Sequence, residues 1–178
     1  SVSDLNRIRR DCCRVSEDFT VVMENDARLY AYGMWIANGR PEKRRIACLT
    51  LGTGLGSGFI VDGLLLTDDA EKNEAEGLPA DAYVYHLPAR RVTADDTFST
   101  RGLVALAREE GLDVDNGKQL SDLADAGHEE ANQVFARFGR ELSRFIDHPR
   151  GLGSFRPDVV YLGGNLAAAA DRMGLETS

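Results

Sequence analysis

Between Leu49 and Gly63 one apolar strand runs into glycines at every second position, Gly52, Gly54, Gly56 and Gly58, and a second apolar strand leaves them. Alternate glycines strip side chains from one face of a strand-turn-strand, so another molecule can approach the main chain closely. Amides bared in this way are good anion ligands, and phosphate is the usual anion. A plain tight hairpin turn accounts for the same spacing. A dinucleotide fingerprint is excluded, because Ser57 and Phe59 stand where its third glycine would fall and Phe59-Ile60-Val61 follow rather than a helix. A Walker loop is excluded by the lack of a G-K-[ST] sequence after the glycines.

The 178 residues, 43% of them hydrophobic, suffice for one good core and predict a single domain. The formal charge of −8, from 29 acidic and 21 basic residues, argues against a broad nucleic-acid or anionic-membrane contact. Basic clusters are short: Arg7, Arg9 and Arg10, then Arg40, Lys43, Arg44 and Arg45. Cys12 and Cys13 are adjacent, Cys48 stands alone, and no C-x-x-C pair exists, so neither a disulfide framework nor a cysteine zinc site is supported. Without a membrane-length apolar run or a signal-peptide layout, the expected chain is soluble and cytoplasmic with reduced thiols.

Along the chain, residues 3–14 read as a helix leading into a strand at Thr20–Met23. A helix follows from Ala27 to the Asn38-Gly39 cap. The glycine hairpin and a short strand at 64–66 come next, then an acidic loop over 67–79 and a strand at Ala82–Leu87. Helices are predicted over 99–110, over 120–126 and, most clearly, over 128–147, where Ala131, Val134, Phe135, Phe138, Leu142, Phe145 and Ile146 share a stripe. A buried strand at Val159–Leu162 ends in Gly163-Gly164 and an alanine-rich helix start. This order predicts a mixed α/β domain with a partly antiparallel sheet.

Four segments, in order, resemble the ROK family (repressors, open reading frames and sugar kinases) of the actin/hexokinase-like ATPase superfamily. Val22-Met23-Glu24-Asn25-Asp26-Ala27 resembles its E-N-D-A segment, and Leu51–Gly58 its second phosphate loop. Asp96-Thr97-Phe98 resembles its acidic residue before a helix, and Pro157–Gly164 its adenosine-binding strand-turn. The resemblance implies a ribonuclease H-like (actin-like ATPase) domain: a mixed sheet with an antiparallel glycine hairpin, flanked by helices. Residues 1–19 then read as the end of a preceding domain or a linking helix, and 20–178 as a C-terminal-type domain truncated at both ends.

By the same resemblance Asp26 is a catalytic base, and Asn25, Asp96 and His86 contact a sugar. Gly52, Thr53, Gly54, Gly56, Gly163 and Gly164 bind ATP, with Mg2+ carried on its phosphates. A carboxylate at a strand end suits proton removal from a hydroxyl that attacks a γ-phosphate. Asn25-Asp26 also reads as an ordinary helix N-cap, and Gly163-Gly164 as a plain strand-to-helix turn. The chain departs from the family in several places. Tyr83 stands where a sugar-binding glutamate is expected, Asp96 replaces a second glutamate, and Met34 replaces a glutamate after Gly33. No cysteine follows Cys48 to build the family's zinc site, so no metal is assigned, and no D-x-G-x-T element occurs. The implied activity is ATP-dependent phosphorylation of a hexose, with sugar and ATP as partners and a homodimer compatible with relatives. The alternative is a sugar-sensing regulator's effector domain, or an inactive sugar-binding fragment, that does not itself touch DNA.

Overall fold

The computed structural model describes residues 23–41 and 44–175. The expected helix at 3–14, most of the strand at 20–23, Cys12, Cys13, Lys43 and the first basic cluster lie outside the described residues. Helix α1 spans Asp26–Ala37, and strands β1 (Arg45–Leu51), β2 (Leu55–Val61) and β3 (Leu64–Leu65) follow. Then come α2 (Ala70–Ala75), α3 (Ala94–Thr97), α4 (Thr100–Glu109), α5 (Gly117–Asp125) and α6 (Glu129–Asp147). Strand β4 (Val159–Gly163) and a 3-10 turn at Asn165–Ala169 complete the order.

The sheet runs β3-β2-β1-β4. β1 and β2 pair antiparallel, β2 and β3 antiparallel, and β1 and β4 parallel, with Ile46 opposite Val159 and Thr50 opposite Gly163. Asp62 and Gly63 both take positive φ (49° and 79°), the twist that a two-residue hairpin turn needs.

Strand alternation divides the apolar residues between two layers. Ala47, Leu49, Leu51, Phe59 and Val61 face α4, α5 and α6 in the main core. Ile46, Cys48 and Ile60 face α1, where Ala31, Tyr30, Met34 and Trp35 cover them. The stripe on α6 is buried at Ala131, Val134, Phe135, Phe138, Leu142 and Phe145. Glu129 and Glu130 sit in the first turn of α6, where negative charge complements the helix dipole. Gly139 is required within α6, since a β-carbon there would lie 2.1 Å from the Met173 carbonyl oxygen.

Four expectations need correction. The acidic stretch 67–79 contains α2, capped by Asp69 and anchored by the fully buried Asn73, whose amide donates to the carbonyls of Thr67 (2.7 Å) and Ala80 (2.8 Å). Residues 82–87 are not a strand: Ala82 turns left-handed (φ 54°), and the only pairing nearby among the described residues is a single bridge, Pro88 with Thr93. Their alternating aromatics come from ring packing, not from a pleat. The alanine-rich start is 3-10 helix, and β4 is half-buried rather than fully covered.

Cys48 is completely buried, and burial pushes its thiol from 9.0 up to about 12. The neutral thiol is therefore the form at pH 8, and the thiolate is the nucleophile. Iodoacetamide at pH 8 is expected to leave Cys48 unmodified in the native chain and modify it in urea, as read by peptide mass spectrometry. The folded state holds this proton more tightly than the unfolded one. The contribution of Cys48 to stability is thus complete below pH 9 and lost as pH rises through about 12. No helix among the described residues is long and apolar enough to cross a membrane.

Candidate functional site

Asn25 caps α1, its Oδ1 accepting from the amides of Ala27 (2.9 Å) and Arg28 (3.4 Å). That leaves the side-chain Nδ2 as a donor with no acceptor among the described residues. Asp26 is exposed in the first turn, and its carboxylate accepts only from the Ala27 amide (2.8 Å) among the described residues. The N-cap geometry and an outward, available carboxylate therefore coexist.

α1 reaches the glycine strand because two of the glycines admit it. A β-carbon on Gly56 would lie 2.8 Å from the Ala27 β-carbon. One on Gly58 would lie 2.7 Å from the Ala27 carbonyl oxygen and 2.9 Å from the Arg28 Cα. These two glycines accommodate the helix that carries Asp26, while Gly52 has open space around it.

The hairpin tip is fastened from outside. Asp95 Oδ1 accepts from the Leu55 amide at 2.7 Å, and the Gly52 carbonyl accepts from both the amide (2.7 Å) and the hydroxyl (2.9 Å) of Thr100. The Gly52 amide donates to the Gly54 carbonyl (3.1 Å). The amides of Thr53 and Gly54 donate to no group among the described residues. Asp95 was not anticipated; its neighbour Asp96 is held by Thr93, whose hydroxyl donates to its Oδ2 at 2.7 Å.

A chain of contacts runs from α1 toward this tip. The buried Arg28 binds Glu24 (3.2 Å), Asp68 (2.8 Å) and the Asp81 carbonyl (2.9 Å), and stacks 4.6 Å from the Tyr83 ring centroid. Burial alone would lower the Arg28 pKa, but the bonds to Asp68 and Glu24 outweigh it and raise the value. Burial raises the Tyr83 hydroxyl, Arg28 opposing and Asp68 adding to the shift. Tyr83 meets Tyr85 at 5.9 Å, and Tyr85 meets the exposed His86 edge-on at 5.2 Å. The Tyr85 carbonyl accepts from the Asp95 amide at 2.9 Å. Tyr83, in the position of the expected glutamate, thus partners Arg28.

On the far side of the tip lies a cavity of about 720 Å³. Thr53 and Thr100 form one wall, Asn116 to Lys118 at the start of α5 a second, and Asn165 and Leu166 with Ala168 and Ala169 a third. Gly163 and Gly164 set that third wall. A β-carbon on Gly163 would strike the Tyr30 ring at 2.6 Å, and Gly164 (φ +83°) lies against the Leu51 backbone. Ser121 and Arg172 also line the cavity. Asn116, Lys118, Ser121 and Arg172 went unnoticed in the sequence; only Asn116 carried a signal, as a residue suited to cap a helix. The structure brings Thr53 and the residues just after Gly164 to one cavity, and leaves Asp26, His86 and Asp96 outside its walls.

The ROK family profile matches residues 13–74. A 45-residue segment, 25% of this chain and 14% of the relative, is 47% identical to the glucokinase of Streptomyces coelicolor. The fold superposes on the crystal structure of a ROK family glucokinase from Streptomyces griseus in complex with glucose and AMPPNP. That match has a TM-score of 0.63 and 22% identity and covers 95% of this chain and 59% of that one. It also superposes on a ROK family transcriptional regulator, homolog of the E. coli MLC protein, with a TM-score of 0.66 and 16% identity over 89% of this chain and 42% of that one. The chain thus spans about half the length of these solved structures. Matched in sequence over residues 13–74 and in fold over nearly its whole described length, the chain resembles the ROK family.

Proposed function

We propose that this chain is the nucleotide-binding part of a ROK-type sugar kinase that transfers a phosphoryl group from ATP to a hexose hydroxyl. The observation that carries the reading is the 720 Å³ cavity, where Thr53 of the glycine turn, the start of α5 and the residues after Gly164 converge from three separate stretches of sequence. Its size and mixed lining suit a nucleotide. Thr53 offers an amide uncommitted among the described residues, α5 its N-terminal amides, and Lys118, which also holds Asp122 at 2.6 Å, its remaining donors, which together form a donor set for phosphates. Asn165 and Leu166 offer a surface for the base.

ATP, when bound, supplies the phosphoryl group and, on its phosphates, the magnesium ion. No cluster of three or more His, Cys, Asp or Glu able to hold a metal occurs among the described residues. Asp26 removes the hydroxyl proton of the sugar, and Asn25 positions a neighbouring hydroxyl through its Nδ2. Gly56 and Gly58 let α1 sit low on the sheet, holding Asp26 by the strand that follows the glycine turn. The second reading, a sugar-sensing effector domain, is favoured by Tyr83 and its commitment to Arg28, which alters the sugar side.

Gly117 lies at the cavity wall with negative φ, and a β-carbon there makes only ordinary contacts, the nearest being Leu166 Cδ2 at 3.6 Å. Gly117→Phe is expected to fill the cavity and weaken AMPPNP binding by about tenfold or more, read by calorimetry, with the circular dichroism unchanged. Unaltered AMPPNP affinity in that variant removes the nucleotide from this cavity. Sugar binding with no release of ADP from ATP selects the sensor over the kinase.

A further inference from the structure

We infer that a second cleft, lined by α6 and the 88–90 segment, binds a small phosphate ester carrying an apolar group. The cleft has a volume of about 670 Å³ and shares no lining residue with the nucleotide cavity. The proposal therefore stands whether or not the kinase reading does. Its floor is aromatic, formed by Phe98 and Phe145.

The charge distribution identifies the ligand. Arg90 and Arg137 reach the cleft already neutralised. Arg90 pairs with Glu141 (3.0 Å) and Glu109, and Arg137 pairs with Glu141 (3.3 Å) and Glu110. Arg140 and Arg144 also line the cleft, yet neither has an ion-pair partner among the described residues. His148 lies one further turn along. Its Nδ1 accepts from the Arg150 amide at 3.0 Å, so the neutral ring carries its proton on Nε2 and can donate from there. Spacing of four residues puts Arg140, Arg144 and His148 on one side of the helix, about one turn apart.

A chain of net charge −8 thus collects two uncompensated guanidiniums and an imidazole over an aromatic floor. Guanidinium forks match phosphate oxygens in bidentate geometry, which favours a phosphate over a single carboxylate. The aromatic floor calls for an apolar portion on the same molecule. An extended acidic peptide suits the cleft less well, because Glu109, Glu110 and Glu141 stand beside it and would repel a polyanion.

The test titrates the full chain with phenyl phosphate by calorimetry. Phenol serves as the uncharged control and AMPPNP as a competitor. Saturable binding is expected, with none for phenol and no displacement by AMPPNP. Changing both cleft arginines to glutamine (R140Q with R144Q) is expected to weaken binding by about tenfold or more while leaving AMPPNP affinity unchanged. These side chains are exposed and have no ion-pair partner among the described residues, so the fold should tolerate the loss. Equal affinity in the double variant, displacement by AMPPNP, no detectable binding, or tighter binding of an oligoglutamate peptide would each overturn the proposal.

Discussion

Asp26→Asn is expected to lower sugar-dependent ADP release by about 10²- to 10⁴-fold, the range contributed by a positioned general base. Asparagine keeps the size and the acceptor oxygen that receives the Ala27 amide, but it cannot take the proton of an attacking hydroxyl. The N-cap belongs to Asn25, so α1 should survive the change and the unfolding midpoint should move little. A coupled ADP assay over a hexose panel, with thermal denaturation alongside, reads both quantities. Turnover near the parent level would take the catalytic role away from Asp26, and a large fall in midpoint would assign it to the helix instead.

Gly58→Val is expected to cost about 3 kcal/mol, at the upper end of ordinary overpacking penalties. What a side chain would meet there is mostly backbone: the Ala27 carbonyl and the Arg28 Cα, besides the Ala31 β-carbon at 2.8 Å. Neither α1 nor β2 can yield without the other moving. Buried Arg28, which ties α1 to Asp68 and to the Asp81 carbonyl, would be pulled from its partners. Gly52→Ala is the control, since nothing lies within 4 Å of the added carbon. Urea unfolding monitored by circular dichroism should separate the two by most of the 3 kcal/mol. A Gly58→Val chain as stable as the parent would show that the helix does not rest on this strand.

The contrast between those two glycines marks the limit of what the sequence could say. Alternate spacing revealed a bared strand face, but not what approaches it. At Gly56 and Gly58 the neighbour is α1, whereas at Gly52 and Gly54 it is open space or Asp95. The long helix and the apolar strands were legible because their periodicity reflects burial on one side, which Phe135, Phe138 and Leu49 display. Tyr83, Val84 and Tyr85 imitated a strand because alternation also arises when one ring stacks on a buried arginine and a second ring packs on the first. α2 was hidden because its one buried anchor is polar, Asn73. Three of the cavity residues, Lys118, Ser121 and Arg172, were beyond reach for a further reason. They gather through tertiary folding, and no local pattern distinguishes a lysine that faces a cavity from one that faces water.

The parallel partner of β1 is also its most distant in sequence: the Arg45 amide donates to the Asp158 carboxylate across 113 positions. Arg45 turns both its amide and its carbonyl to this edge, which only a segment 113 positions later covers among the described residues. Loop closure over such a span is slow compared with hairpin formation. While a ribosome extends the chain through α4, α5 and α6, this border of the β1–β2 ribbon stays adhesive until Val159–Gly163 arrives to cover it.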